Sequence, residues 1–191
     1  MAVENIKSTQ VTNLDASPPV KTSPAESGSR LRVKTASVTV VGDASATSTY
    51  RFFRVRSSDR IVSLRLYNTA MANLTAVDFG LYHINGGAAV TTASGAGSDL
   101  YGDGVNLVTI VPAVPPVSAT AGDGREMRFA DATTAPLTSI NNMVWEDINV
   151  GGSDVLTADP GLQYDVTATI QAVGGTVGTG TIALRMEYSA P

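Results

Sequence analysis

At 191 residues the chain is long enough to bury a full core in one domain and short for two. It contains no cysteine, which excludes a disulfide scaffold, a thiolate zinc site, an iron–sulfur cluster and a cysteine nucleophile. The net charge of −4 divides unevenly: residues 1–65 hold ten Lys or Arg against five acids, and residues 66–191 hold three against twelve.

Residues 1–29 read as an extended N-terminal arm, either a loose tail or one that a partner orders, and residues 30–191 as the β-sandwich domain. The arm opens on MAVENIKSTQ, which lacks the apolar core of a secretory signal. Its second half, DASPPVKTSPAESGS, has almost no large apolar side chain. Such a segment cannot offset its own ordering entropy, and Pro18, Pro19 and Pro24 favour extended geometry.

Leu31–Val41 is the first predicted strand. Leu31 and Val33 share one parity and Val38 and Val40 the other, which suggests a bulge near Ala36 or a strand buried on both faces. Ser48–Arg56, the turn Ser57-Ser58-Asp59 and Ile61–Tyr67 form a predicted hairpin. In its second strand Val62, Leu64 and Leu66 face one way and Ser63, Arg65 and Tyr67 the other. Ala76–Ile84 alternates again, with Val77, Phe79 and Leu81 on one face. Asn85-Gly86-Gly87 is a turn signal, and Ala88–Ala93 pairs back across it. Residues 94–104 read as a long Gly-rich loop, Val105–Val111 as a strand ended by prolines. Ile140, Val144 and Ile148 recur at spacing four beside Trp145, predicting a short helix that Ser139 caps. Tyr164–Ile170 and Ile182–Tyr188 are the last predicted strands. About eight strands with one short helix make an all-β antiparallel sandwich, with a jelly roll as the expected topology.

The hairpin is the part of the chain that speaks most directly to function. It carries Arg51, Arg54, Arg56, Arg60 and Arg65, with Tyr50, Phe52 and Phe53 interleaved. Arginine binds carboxylates through a planar fork and is enriched at protein interfaces. Strict alternation places Arg54 and Arg56 on one face and Arg51 on the other, with Phe53 and Val55. Arg54, Arg56 and the turn residue Arg60 are therefore the docking candidates, with Pro18 and Pro19 in the arm. Arginines among aromatics also suit single-stranded nucleic acid, but the acidic chain and the small basic cluster oppose that use.

The sequence offers no catalytic constellation, so the expectation is a protein that is not an enzyme and uses no cofactor. His83 is the single histidine and there is no G-x-S-x-G elbow. Asp99 and Asp103 lie in a Gly-rich loop and could offer oxygens to calcium, although Asp-Gly pairs are ordinarily turns. No apolar run has the length of a membrane span.

Three stretches, NLDASPPVKTSPAESGSRLRVKTASVTV, STYRFFRVRSSDRIVSLRLYNTA and VDFGLY, together resemble the capsid cement, or decoration, proteins of tailed bacteriophages. The Trp145-Glu146 helical turn and the final IALRMEY strand sit where that family has similar elements, while residues 94–135 are less typical. The resemblance implies a jelly-roll protein made in the host cytoplasm and bound to the outer surface of the virion's capsid. It would hold the shell by bridging major capsid proteins non-covalently. The partners implied are the major capsid protein and other copies of the chain, as a homodimer or homotrimer, without nucleic acid or membrane. No motif carries residue-level sites across. The alternative from the residues is a carbohydrate- or receptor-binding sandwich such as a head fibre, with Tyr67, Tyr82, Tyr101 and Trp145 as its candidate aromatics.

Overall fold

β-Branched and aromatic residues alternate with polar ones through the long strand segments, and the computed structural model pairs those segments into two facing sheets. The structure describes residues 5–17, 31–42, 44–92, 95–108, 125–127, 142–149 and 156–190. In chain order these form β1 (Asn5–Lys7), α1 (Thr9–Asp15), β2 (Arg32–Val40), β3 (Thr49–Arg56), β4 (Arg60–Asn68) and β5 (Leu74–His83). There follow β6 (Thr91–Thr92), β7 (Gly95–Ala96), β8 (Gly102–Val105), β9 (Arg125–Glu126), α2 (Val144–Asp147), β10 (Gln163–Val173) and β11 (Gly180–Ser189).

One sheet runs β1-β3-β10-β5-β8 and the other β2-β11-β4-β9, with β6 and β7 as a separate ribbon. Set β1 and that ribbon aside and number the other eight strands in chain order. The sheets then read 2-7-4-5 and 1-8-3-6, every pairing antiparallel. That interleaving is the jelly roll. The expected all-β sandwich is therefore the fold, and the last two strands are central in their sheets. Phe53, Phe79 and Val166 from one sheet share a single core with Leu64, Leu184 and Met186 from the other. Each such side chain contributes about 1.5–3 kcal/mol on burial.

Several local expectations are corrected. β2 pairs with β11 without a register shift, so there is no bulge near Ala36. Ala36, Val38 and Val40 face the core while Leu31 and Val33 lie half out in solvent. In β4 the register shifts opposite Glu187 and Tyr188. That irregularity turns Ile61 inward and leaves Val62 41% exposed, against the simple alternation. The short helix is α2, and its cap is Met143, whose backbone N–H donates to the Glu146 carboxylate at 2.6 Å. Ser139 lies outside the described residues. The loop expected over residues 94–104 includes β7 and part of β8, and of the strand expected from Val105 only that residue lies in β8, with Leu107 beyond it still donating to Leu74 O and accepting from Met71 N–H.

The sequence over residues 1–29 predicts an extended arm, but residues 5–17 are built onto the sandwich. β1 pairs in parallel with β3, and α1 follows it. Pro18 and Pro19 lie outside the described residues.

Gly80 has a specific steric role. A Cβ there would meet the Gly97 carbonyl oxygen at 1.9 Å and the Ser98 backbone at 2.5 Å. The missing side chain lets the segment after β7 lie directly on β5, where Leu81 N–H donates to Gly97 O.

Candidate functional site

A bulge in β3 decides what the arginines do. β10 pairs Val166 with Phe53 but Thr167 with Arg51, so Phe52 is the extra residue. The bulge turns Arg51 onto the face that carries Arg54. The alternation argument, which put Arg51 with Phe53 and Val55, fails at this one residue. Both guanidiniums then reach Asp165 on the neighbouring strand.

Asp165 is fully buried and accepts from Arg54 Nε at 2.9 Å and from Arg51 Nη1 at 3.3 Å. Arg51, only 1% exposed, also donates to the carbonyls of His83 at 2.8 Å and Gly87 at 2.7 Å. Its guanidinium stands 5.4 Å from the Tyr82 ring centre. Arg54 Nη2 continues the chain of charges to Asp15 at 2.7 Å, and Lys7 Nζ reaches the same carboxylate at 2.7 Å. The order Lys7–Asp15–Arg54–Asp165–Arg51 alternates in sign from the surface inward. It spans β1, α1, β3 and β10.

The electrostatics follow from that order. Burial alone would raise the Asp15 carboxyl, but hydrogen bonds and charge from Lys7 and Arg54 outweigh it and hold the group below its usual value of 3.8. Burial likewise works against the Arg54 cation, and its bonds to Asp165 and Asp15 hold it protonated more firmly than usual.

The backbone secures the same segment. Ser8 caps α1: its hydroxyl accepts from Val11 N–H at 3.3 Å and donates to Phe52 O at 2.7 Å. Ser8 N–H donates to Arg51 O at 2.7 Å. Lys34 Nζ takes Arg54 O at 2.9 Å and lies over the Tyr188 ring. The outer edge of β3 is thus closed by β1, one serine and one lysine.

The sequence-derived candidates therefore separate. Arg54 is 10% exposed and engaged with two carboxylates of its own chain. Arg56 is exposed and makes no ion pair among the described residues. Arg60 is half-buried, and its Nε lacks a hydrogen-bond partner. The turn between them is held by Asp59, which accepts from Arg56 N–H at 2.9 Å. Helix α2 docks there: Val144 N–H donates to Asp59 O and Trp145 N–H to Ser57 O. Ser57 Oγ and Trp145 Nε1 are also buried, without hydrogen-bond partners among the described residues.

Other candidates fall into plainer roles. Tyr50, Phe52 and Phe53 are core residues, so the aromatics between the arginines form no stacking platform. Tyr82 and Tyr101 are buried, Tyr82 bonding Thr169 at 2.6 Å. His83 ends β5 with its ring 5.9 Å from that of Tyr164. Burial raises the Asp78 carboxyl, and the charges of Asp103 and Asp99 push the same way against bonds from Gly104 and Gln171. Among the described residues no three His, Cys, Asp or Glu side chains are grouped to hold a metal ion. No described helix is long and apolar enough to cross a membrane.

No family model matches the chain, and no curated protein matches it. A solved structure that does resemble it is a chain from the cyanophage Pam1 capsid asymmetric unit. The two are 11% identical, the match covers 93% of this chain and 97% of that one, and the TM-score is 0.47.

Proposed function

We propose that this chain is a structural virion protein that binds the outer surface of a phage capsid. There it bridges major capsid proteins non-covalently and opposes their separation. One observation carries the reading: the end of the sandwich at the β3–β4 turn presents exposed Arg56 and half-buried Arg60, neither in an ion pair among the described residues. Guanidiniums that pair with no carboxylate among the described residues suit carboxylates and carbonyls on a partner. The sequence resemblance to cement proteins supplies the identity of that partner, and a jelly roll is a scaffold that capsid proteins and lectins both use. Many copies on one shell would let modest individual contacts add up.

Co-sedimentation with purified shells tests this. The double variant Arg56→Glu/Arg60→Glu should fold normally and lose most of its shell binding, most visibly at low salt. A cryo-EM map of the particle should place the β3–β4 turn against the shell's outer surface. Full binding by the double variant, or a map with this turn pointing into solvent, refutes the docking role.

A further inference from the structure

We propose that residues 5–17 are an exchangeable arm, and that the outer edge of β3, with Arg54 and Asp165 behind it, receives the same segment from a second copy of the chain. The inference concerns the free protein and does not depend on the capsid reading.

Among the described residues, each hydrogen bond and ion pair that holds the segment ends on β3 or within the segment itself. Thr49 Oγ1 donates to Asn5 Oδ1, Ser8 N–H and Oγ–H take the carbonyls of Arg51 and Phe52, and Arg54 takes Asp15. None of these bonds requires that donor and acceptor share a chain, so an arm from a neighbour would make all of them. A vacated edge would leave the Arg51 and Phe52 carbonyls, and one side of the Arg54 guanidinium, without their partners. Unpaired strand edges recruit a strand, and buried polar groups recruit acceptors.

The receiving surface therefore selects this arm by its chemistry. It requires a three-residue parallel strand, a serine directly after it and a carboxylate one helix length beyond. The tether is long enough. Residues 18–30 lie between the arm and Leu31, which precedes β2, thirteen residues including Pro18, Pro19 and Pro24. Extended, such a stretch reaches about 43–47 Å, more than the width of a small domain. Exchange would then conserve every contact of the closed form, and its equilibrium would be set by the local concentration of neighbours.

The lack of native cysteine makes a direct test possible. Asn5 and Thr49 are register partners with exposed or half-exposed side chains, at a spacing that parallel pairs share with disulfides. One chain carries Asn5→Cys. A second, size-tagged chain carries Thr49→Cys. A third carries Thr91→Cys, on β6, as a control. Each mixture is equilibrated and then oxidised. Exchange predicts a covalent dimer of mixed size from the 5/49 mixture, about tenfold above the 5/91 mixture, rising with protein concentration. The single chain with both Asn5→Cys and Thr49→Cys should give intrachain product when dilute and interchain product when concentrated. Mixed dimer no more abundant than the control, with the double variant closing only within its own chain at every concentration, overturns the proposal.

Discussion

Replacing Asp165 with Asn should be the most damaging small change in the protein. The shape of the side chain survives, and Oδ1 can still accept from Arg54 Nε. The charge does not survive, and an amide NH2 would face Arg51 Nη1, now 3.3 Å from a carboxylate oxygen. Arg51 is 1% exposed and Asp165 fully buried, so water cannot take over. Removing one member of a buried pair typically costs about 3–5 kcal/mol because the other charge is left uncompensated. The carbonyls of His83 and Gly87 still accept from Arg51, which places the expected loss near the lower end, about 3 kcal/mol. A domain's whole stability is about 5–15 kcal/mol, so the loss is a large share. Equilibrium urea unfolding should show the midpoint falling with little change in slope. A loss under about 1 kcal/mol, the value of an exposed pair, would mean that the network is solvated and that the burial argument is wrong.

Arg54→Glu should destabilise the fold, because it places a third carboxylate between Asp15 and Asp165; thermal unfolding checks this against Arg56→Glu, which should be neutral. Acidification should release residues 5–17 before the sandwich unfolds. The Asp15 carboxyl is held below 3.8 in the folded chain, so its contribution is present above that value and is lost as pH falls through the lower folded value. An NMR pH titration following the Val11 and Thr12 amides reads this; loss of those signals together with the β10 amides would contradict it. Asp78 acts oppositely: its raised carboxyl favours the fold below 3.8, and that gain is lost as pH rises through the raised value. Asp78→Asn should therefore raise the melting temperature at neutral pH. Gly80→Ala should lower it, by an overpacking cost of about 1–3 kcal/mol, because the Gly97–Ser98 backbone must move.

How far the sequence could be read depended on whether a residue's neighbours were near in the chain. The alternation in β5 and β11 identified the core-facing side chains correctly, because facing follows a local period of two even where, as over Val77–Tyr82, both faces are buried. The same rule failed at Arg51 and Val62, each beside a bulge that exists only in relation to a partner strand. Asp165, in YDVTATI, looks like an ordinary solvent-facing acid of an amphipathic strand. Its burial follows from β10 lying between β3 and β5, with its outer face covered, and nothing in seven residues encodes that. The helix over Thr9–Asp15 had a local signal available. Ser8 followed at three residues by buried Val11, with Asp15 a turn later, is a helix start that the neighbouring prolines overshadowed. Arg56 and Arg60 were singled out by residue type alone. The helix that docks beside them, α2, arrives from more than eighty residues away.

The strand order also dictates when the protein can fold. β10 joins β3 to β5, and β11 joins β2 to β4, so the last two strands zip together elements made much earlier. Until both have left the ribosome, β2 to β5 have no central partner in either sheet. Such non-local pairing makes folding slow, on the millisecond-to-second scale. During synthesis those early strands stand open to pairing with other nascent chains. A stop codon anywhere before residue 180 should yield an aggregating product, where a solenoid of equal length would merely lose a repeat.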